Sequence, residues 1–515
     1  MQGSSRRSAR RAVLVATLAE ALPADDSARA ELLSTLGRSA EVLEVRADLV
    51  GDLDPALLRE SFPGRLLYTL RSRAEGGAHE GSDERRHDRE ISAVEQGYDL
   101  VDLEAARDLV PAVLDAVPAE RRVVSWHGPP GDLVELEELF EEVSRQPARL
   151  YKMIVFARQP GDAVAPLLLL DALGRDDLVA FAAGRDGAWS RLIAPYLGAG
   201  VVYAAATAEA AGAPGQLTVE ELVRDYGLPE LPAVERFFGI AGDPVLSSSL
   251  SPRLHNGAYR ELGIPALYLP FECEGLGDFW LEVVESDLFP RLGLPLAGLS
   301  VTAPFKRSAL AVAGAVSPLV DAVGAANTLV ASGGVWEAEC TDAAGVVRSF
   351  EAAGVEVRGC QAAVVGAGGA GRAAAVGLAR AGAKVTLVNR GEERGRKSAQ
   401  RVGLPFQPLA DFVPGDFDLL VNATPLGKDD DDPLPFAVDG LAAEAAVLDL
   451  VYREQPTRLV AAVRAAGLTA VDGREMLFHQ AVDQFKLMTG QELPVPLGRR
   501  LLGLPVAEPG GEEAS

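Results

Sequence analysis

Lys152 stands in RLYKMIVFA, residues 149–157, a run otherwise built from strand-forming and apolar side chains. Lysine is scarce in this chain: of 49 Lys plus Arg only six are lysines, at positions 152, 306, 384, 397, 428 and 486. Arginine keeps its proton at ordinary pH, whereas a desolvated lysine can lose it, and only the neutral amine attacks a carbonyl. Lys152 is therefore a candidate Schiff-base nucleophile; the plainer alternative is a charge lying beside a core. His127 closes the run RRVVSWH and Arg71 closes RLLYTLR, while Glu44, Arg46 and Asp48 alternate with Val45, Ala47 and Leu49 in LEVRADL. That alternation predicts a strand with one charged face. In the second half, Gly366, Gly368 and Gly371 satisfy GxGxxG within QAAVVGAGGAGRAAAVGLARAGAKVTLVNR, a strand, glycine turn, helix and second strand.

Elements must hold these groups in place. Apolar runs recur at 13–19, 42–48, 65–71, 98–104, 121–127, 149–157, 176–184 and 200–206, separated by Ala-, Leu- and Glu-rich segments of helical spacing such as DLVELEELFEEVSR. Eight strand–helix units in about 230 residues predict an α/β fold whose first part is a (β/α)₈ TIM barrel, with its chemistry at the C-terminal strand ends. A doubly wound open sheet is the alternative. A parallel strand is buried on both faces, so Glu44, Arg46 and Asp48 need a polar lumen or a ligand. YGLPELPAVERFFG reads as a Pro-punctuated linker, with the boundary near Pro232. Beyond it lies the Rossmann pattern, where the turn's backbone N–H groups and the helix dipole favour a pyrophosphate. At the end of its second strand stand Asn389 and Arg390, with Arg394 one turn later, where NAD enzymes place Asp or Glu. Two guanidiniums clamp a 2′-phosphate that a carboxylate would repel, so NADP is favoured.

Composition narrows the function classes. With 515 residues the chain needs several cores. The net charge of −25 argues against nucleic acid or an anionic membrane as partner. Three dispersed cysteines without a CxxC pair suit a reducing cytoplasm and argue against a zinc site, so no metal is expected. RRSARR before AVLVATLA superficially resembles a leader, but that apolar run is claimed as the first strand. Residues 1–11 and 506–515 are expected to be disordered tails.

The motifs EVRAD, LRSRAEGG, VVSWHG, YKMIVFA, WSRL and GAPGQL, spread over about residues 12–225, resemble type I 3-dehydroquinate dehydratase in that order. The resemblance implies that Lys152 forms an imine with the substrate ketone and His127 moves the protons, oriented by Glu75. It further implies that Glu44, Arg46, Arg71 and Arg191 bind substrate, with Gln216 on the covering loop. Gly128 departs from the family's usual Asp, and Gly212 from its usual Ser.

SSSLSPRLHN, LSVTAPFK, GAANTL, ECTDAAG, NATPLG, DLVYREQPT and GREMLFHQA resemble shikimate dehydrogenase over about residues 236–500. The resemblance implies a substrate-binding domain over 234–340, completed by helices in 474–503, and a Rossmann domain over 341–473. Ser249 and Ser251 would hold a carboxylate, and Thr302, Asn327 and Gln480 the ring oxygens. Lys306 and Asp342 would form the proton-transfer pair. Gly366, Ala367, Gly368, Gly369, Ala370, Gly371, Asn389, Arg390, Arg394, Asn422, Thr424 and Gly473 would surround NADP(H). Ser300 and Cys340 replace the usual asparagines.

Together the two halves imply a shikimate-pathway fusion: dehydration of 3-dehydroquinate to 3-dehydroshikimate, then NADPH-dependent reduction to shikimate. The rivals are a quinate-preferring second half, an aldolase barrel, and a non-catalytic ligand-sensing regulator built on these domains. Such a regulator would need a DNA-binding or activation module, for which the chain has no spare segment. The expected partners are small-molecule substrates; monomer or homodimer is left open.

Overall fold

The computed structural model describes residues 10–506 apart from 210, 211, 214, 247, 428–430 and 454. These fall into two compact units. The first takes the described residues up to Phe237 together with Pro244–Leu296; the second takes Phe238–Asp243 with those from Ala297 onward. The expected tails lie outside the described residues except at their inner ends, where Arg10–Arg11 pair antiparallel with Glu230–Leu231.

The first unit is a barrel of eight parallel strands: β1 (Val13–Leu18), β2 (Val42–Arg46), β3 (Arg65–Thr69), β4 (Leu100–Glu104), β5 (Arg122–Gly128), β6 (Leu150–Phe156), β7 (Leu178–Ala183) and β8 (Val201–Ala205). Each pairs with its sequence neighbour, and β8 returns to β1, leaving a seam between β7 and β8. Apolar runs bounded by turn residues make strands buried on both sides, as β7 is throughout. The intervening helices carry explicit start signals. Asp132 and Glu135 form a capping box for Leu133–Val143, and Ser82 caps Asp83–Gln96 before Gly97 ends that helix at φ 109°.

Strand alternation sends every second side chain into the lumen, and the register stacks them. Thr17 lies beside Glu44, Thr69 beside Asp102, and Ser125 beside Lys152. The charged alternation expected through Asp48 is cut short. β2 ends at Arg46 and the chain turns into a helix at Ala47–Val50, from which Asp48 grips the Arg46 guanidinium with two bonds of 2.8 Å.

By its contacts the segment 244–296 groups with the barrel. Its contacts give the reason: the buried Trp189 ring lies 5.4 Å from Phe271, Arg185 Nε is 3.0 Å from Glu272, and Gly161 N–H donates to Glu282 at 2.9 Å. This segment holds the helix Ser251–Leu262 and β10 (Ala266–Glu272), while the short strand at Arg236–Gly242, β9, straddles the division.

In the second unit, β11 (Leu296–Val301), β13 (Thr328–Ser332), β14 (Val335–Glu339) and the short β12 (Ala315–Val316) follow one another across a sheet, with Ser300 opposite Thr328. Helix α1 (Asp342–Ala352) leads into a parallel sheet of β15 (Gln361–Val365), β16 (Lys384–Asn389), β17 (Phe406–Pro408), β18 (Leu419–Asn422), β19 (Ala446–Asp449) and β20 (Thr469–Val471). Its order, β17-β16-β15-β18-β19-β20, reverses direction at β15, the switch point where such sheets take ligands. Helix α2 (Gly369–Arg380) follows β15, α3 (Glu392–Val402) follows β16, and α4 (Gly473–Thr489) returns against α1 and β13.

Candidate active sites

The lumen's C-terminal end gathers the first set of candidates into one cavity, lined by Glu44, Arg46, Arg71, Glu75, His127, Lys152, Arg191 and Gln216. Lys152 Nζ sits 3.7 Å from Glu44 Oε1 and 3.7 Å from Asp102 Oδ2, and 4.2 Å above the Tyr203 ring. Burial lowers its pKa; Glu44 and Asp102 oppose that, and Arg71 and Arg46 reinforce it. Desolvation wins, which is the condition for an amine to be neutral without losing its place.

His127 Nδ1 faces Glu75 Oε2 at 3.0 Å, and the same oxygen accepts His127 N–H at 3.1 Å. Burial and the cations Arg71, Lys152, Arg46 and Arg191 hold the imidazole well below its ordinary pKa. Burial pushes Glu75 up to about 8, with Glu104 and Asp102 adding to the rise and Arg71 opposing it. The pair therefore shuns a net imidazolium and tolerates a protonated carboxyl.

Arg71 is the hub beneath them. It donates to Asp102 at 2.8 Å and Ser125 at 2.8 Å, and lies 3.2 Å from Glu75 and 3.3 Å from Glu104. With so many acceptors already engaged, Arg71 holds the framework more than it waits for a ligand. Arg191 differs. It is buried, gives one bond to Tyr203 O at 3.3 Å, stacks 4.3 Å from Phe181, and its Nε has no hydrogen-bond partner among the described residues. Burial lowers it to about 10, so an incoming carboxylate would restore its missing counter-charge. Arg46 also gives Gly212 O a bond of 2.8 Å, tying the covering loop to β2, and Gln216 reaches Thr17 at 3.3 Å.

The two glycine departures have steric reasons. A Cβ on Gly212 would stand 2.6 Å from Thr17 Cγ2, and one on Gly128 would stand 2.1 Å from Trp126. The sequence reading missed Thr17, Thr69, Asp102, Glu104, Ser125 and Tyr203 as site builders. YDLVDLE offered a signal for two of them, since Asp102 and Glu104 share the alternation that exposed Glu44 and Arg46.

The second unit builds a separate polar cluster. Lys306 Nζ contacts Asp342 Oδ2 at 2.5 Å, and Asp342 Oδ1 accepts from Asn327 Nδ2 at 2.9 Å. Asn327 Nδ2 also lies 3.0 Å from Gln480 Oε1, and Asn327 Oδ1 accepts Thr341 N–H at 2.8 Å. Four expected residues thus converge from the turn after β11, the residue just before β13, α1 and α4. Thr302 is half-buried beside them in sequence, its N–H donating to Ala241 O at 3.0 Å. Ser249 and Ser251 belong to the first unit, where Ser251 N–H donates to Ser249 Oγ at 3.2 Å. Ser300 donates to Gln484 at 3.2 Å, and Cys340 is a buried thiol pushed up to about 12, inert as a nucleophile.

The glycine turn after β15 has room for a dinucleotide. Gly366 has φ 114°, and a Cβ on Gly371 would lie 1.9 Å from Gly366 O, so the helix can approach the strand only without side chains there. At Gly368 a Cβ would meet nothing closer than Arg394 Nη2 at 3.9 Å, which leaves an open face for a phosphate. Gly369 packs its Cα side against Lys306 Cβ, where a Cβ would stand at 3.1 Å, setting Ala370 and the start of α2 next to the proton-transfer pair. Asn389 Oδ1 accepts Ala367 N–H at 3.2 Å. Glu392 and Glu393 pair with Arg396 at 3.0 Å and Lys397 at 2.6 Å, which leaves the exposed Arg390 and Arg394 unopposed. Asn422 is a wall, bonded to Asp449 and Thr424 at 2.8 and 2.7 Å, and a Cβ on Gly473 would strike Val451 O at 2.4 Å.

Comparisons with known proteins match both halves of the chain. The type I 3-dehydroquinase family model matches residues 21–230, the shikimate dehydrogenase substrate binding domain 240–329, and the shikimate 5′-dehydrogenase C-terminal domain 473–502. An FAD binding domain model matches 361–419, the stretch carrying the glycine turn. The chain is 28% identical to the chloroplastic bifunctional 3-dehydroquinate dehydratase/shikimate dehydrogenase of Arabidopsis thaliana, over 89% of this chain and 78% of that protein. It is 42% identical to the shikimate dehydrogenase (NADP(+)) of Halobacterium salinarum, over 52% of this chain and 97% of that protein. The structure of dehydroquinate dehydratase and shikimate dehydrogenase from S. pombe AroM is similar at 23% identity and TM-score 0.43, covering 96% of this chain and 98% of that one.

Proposed function

We propose how two reactions run on a chain that belongs to the shikimate dehydrogenase family and carries a type I 3-dehydroquinase barrel ahead of that part. It is a bifunctional shikimate-pathway enzyme, dehydrating 3-dehydroquinate and then reducing 3-dehydroshikimate. The observation that carries the first step is a desolvated lysine sharing one cavity with a histidine–carboxylate pair.

Lys152, its pKa lowered by burial, adds as the neutral amine to the substrate ketone, and loss of water leaves a protonated imine. That cation draws electrons from the adjacent carbon and makes its C–H acidic. Glu44 and Asp102, each 3.7 Å from Nζ, stabilise the imine's positive charge as it forms. Arg191 anchors the substrate carboxylate.

His127 takes the proton at Nε2 while its Nδ1 proton moves to Glu75 Oε2. The transfer starts from ionised Glu75, whose pKa of about 8 makes that carboxylate a strong proton acceptor, so no imidazolium has to survive among four cations and the step gains as pH rises toward 8. Nε2–H then donates to the departing hydroxide, and hydrolysis of the imine frees Lys152.

In the second unit Lys306 and Asp342 deliver a proton to the substrate oxygen, with Asn327 fixing the Asp342 carboxylate. NADPH, when bound, supplies the hydride. The glycine turn fits it, because a side chain at Gly366 or Gly371 would collide with the backbone and Gly368 leaves open space. Arg390 and Arg394 select the 2′-phosphate, and Asn389 fixes the turn that receives the pyrophosphate. The three dispersed cysteines, Cys273, Cys340 and Cys360, support a reducing, cytoplasmic setting. Among the described residues no helix is long and apolar enough to cross a membrane.

The test uses purified protein and 3-dehydroquinate. Enone absorbance should rise without cofactor and fall when NADPH is added, with one NADPH oxidised per enone lost. An enone that persists in the presence of NADPH sinks the second assignment; no enone at all sinks the first.

A further inference from the structure

The barrel lumen is filled at its C-terminal end by interlocked charges and left open at the other. A cavity of about 370 Å³ enters from the N-terminal mouth, walled by Val13, Val42, Leu67, Leu100, Val123 and Leu150. Barrels of this class ordinarily pack branched side chains through the whole lumen. A void of this size falls within the range of small-molecule pockets. Its roof is Tyr203, which also lines the cavity holding Lys152. The Tyr203 hydroxyl is buried without a hydrogen-bond partner among the described residues.

At the mouth stand two exposed arginines, Arg65 and Arg149. Burial lowers the Arg149 pKa, and the charge of Arg65 adds to that. No hydrogen bond or ion pair engages either side chain among the described residues. The carboxylates on the same rim are directed elsewhere: Asp177 grips Arg175 at 2.8 and 2.6 Å, and Asp176 also acts on Arg175. In a chain of net charge −25, these two like cations at the mouth of one apolar shaft have no ion-pair partner among the described residues.

We propose that this shaft is a second small-molecule site, which takes an aromatic monocarboxylate. The ring lies among the valines and leucines beneath Tyr203, and the carboxylate bridges Arg65 and Arg149. Burial of the ring drives entry, and the two guanidiniums fix orientation and select the acid over its neutral analogue.

Calorimetric titration of the full chain with 3-phenylpropanoate tests this. Binding should saturate and should weaken at least about tenfold for 3-phenylpropanol, which lacks the carboxylate. Arg65→Ala with Arg149→Ala should cost at least about tenfold as well. Both side chains are exposed and make no hydrogen bond or ion pair among the described residues, so an unchanged melting temperature serves as the folding control. Arg46→Ala, at the other end of the lumen, should leave binding unaltered. The proposal is overturned by absence of saturable binding, by binding that survives the double arginine variant, or by binding that Arg46→Ala weakens.

Discussion

Glu44→Gln removes a negative charge beside the reactive amine and keeps the side chain's shape. Glu44 Oε1 lies 3.7 Å from Lys152 Nζ. Two unit charges at that separation interact by about 4.5 kcal/mol at an effective dielectric of 20 and about 1.1 kcal/mol at that of water. These limits correspond to about 3.3 and 0.8 pKa units. Asp102 stays in place on the amine's other side, and Thr17 and Thr69, which donate to Glu44 at 2.7 and 2.9 Å, can still bond a glutamine. The amine, already lowered by burial, should therefore lose its proton at a still lower pH. Reductive trapping reads this directly. With saturating 3-dehydroquinate and excess borohydride, adduct formation on the Lys152 peptide should climb with pH as the neutral amine appears. In Glu44→Gln that rise should occur about 1–3 pH units lower, and Lys152→Met should yield no adduct. A rise that stays in place, or moves to higher pH, would refute the claim that the attacking amine is the one held against Glu44.

Glu75→Gln should lower the dehydratase kcat by about 10²- to 10⁴-fold, because the amide cannot receive the Nδ1 proton. Its effect on stability has the opposite sign. A carboxyl raised from 4.5 to about 8 stabilises fully below 4.5 and loses that contribution as pH rises through 8. Urea melts should show the variant gaining on the parent across that window, by up to about 1.4 kcal/mol per pH unit. Arg390→Ala should raise the KM for NADPH about 10- to 150-fold and leave that for NADH nearly unchanged, with salt eroding NADPH affinity in the parent only. Asp342→Asn should lower the reductase kcat by about 10²-fold or more with little change in NADPH affinity. A chain ending at residue 230 loses Phe271 from Trp189 and should melt about 4–10 °C below the first transition of the parent, whereas one ending at Leu296 should not.

The barrel was legible because its strands announce themselves twice, by apolar runs and by helical spacers. Lys152, His127 and Glu44 followed from the cost of placing charge inside such strands. The Rossmann turn was legible because glycine spacing has one steric meaning. Other features depend on distances that no local pattern carries. Arg71 lines the cavity as a candidate ligand, and its acceptors within the protein come from β4, β5 and the turn after β3. Asp48 reaches its partner from a helix, although the alternation placed it on a strand. The grouping of 244–296 with the barrel rests on tertiary contacts such as Trp189 with Phe271, to which a proline-rich linker gives no clue. Gly128 and Gly212 looked like losses, but neighbouring Trp126 and Thr17 fill the space a side chain would need.

The hub at Arg71 has a consequence for how this barrel can change over generations. Asp102, Glu104, Glu75 and Ser125 all converge on a single guanidinium, so none of them can drift alone. Neutralising one acceptor strengthens the pull of Arg71 on the rest, and through Glu75 it resets the proton affinity of His127. The cost of a second substitution then depends on which came first. Variation should reach these positions in correlated sets, and a single residue transplanted here from a related barrel should fail more often than the whole group moved together.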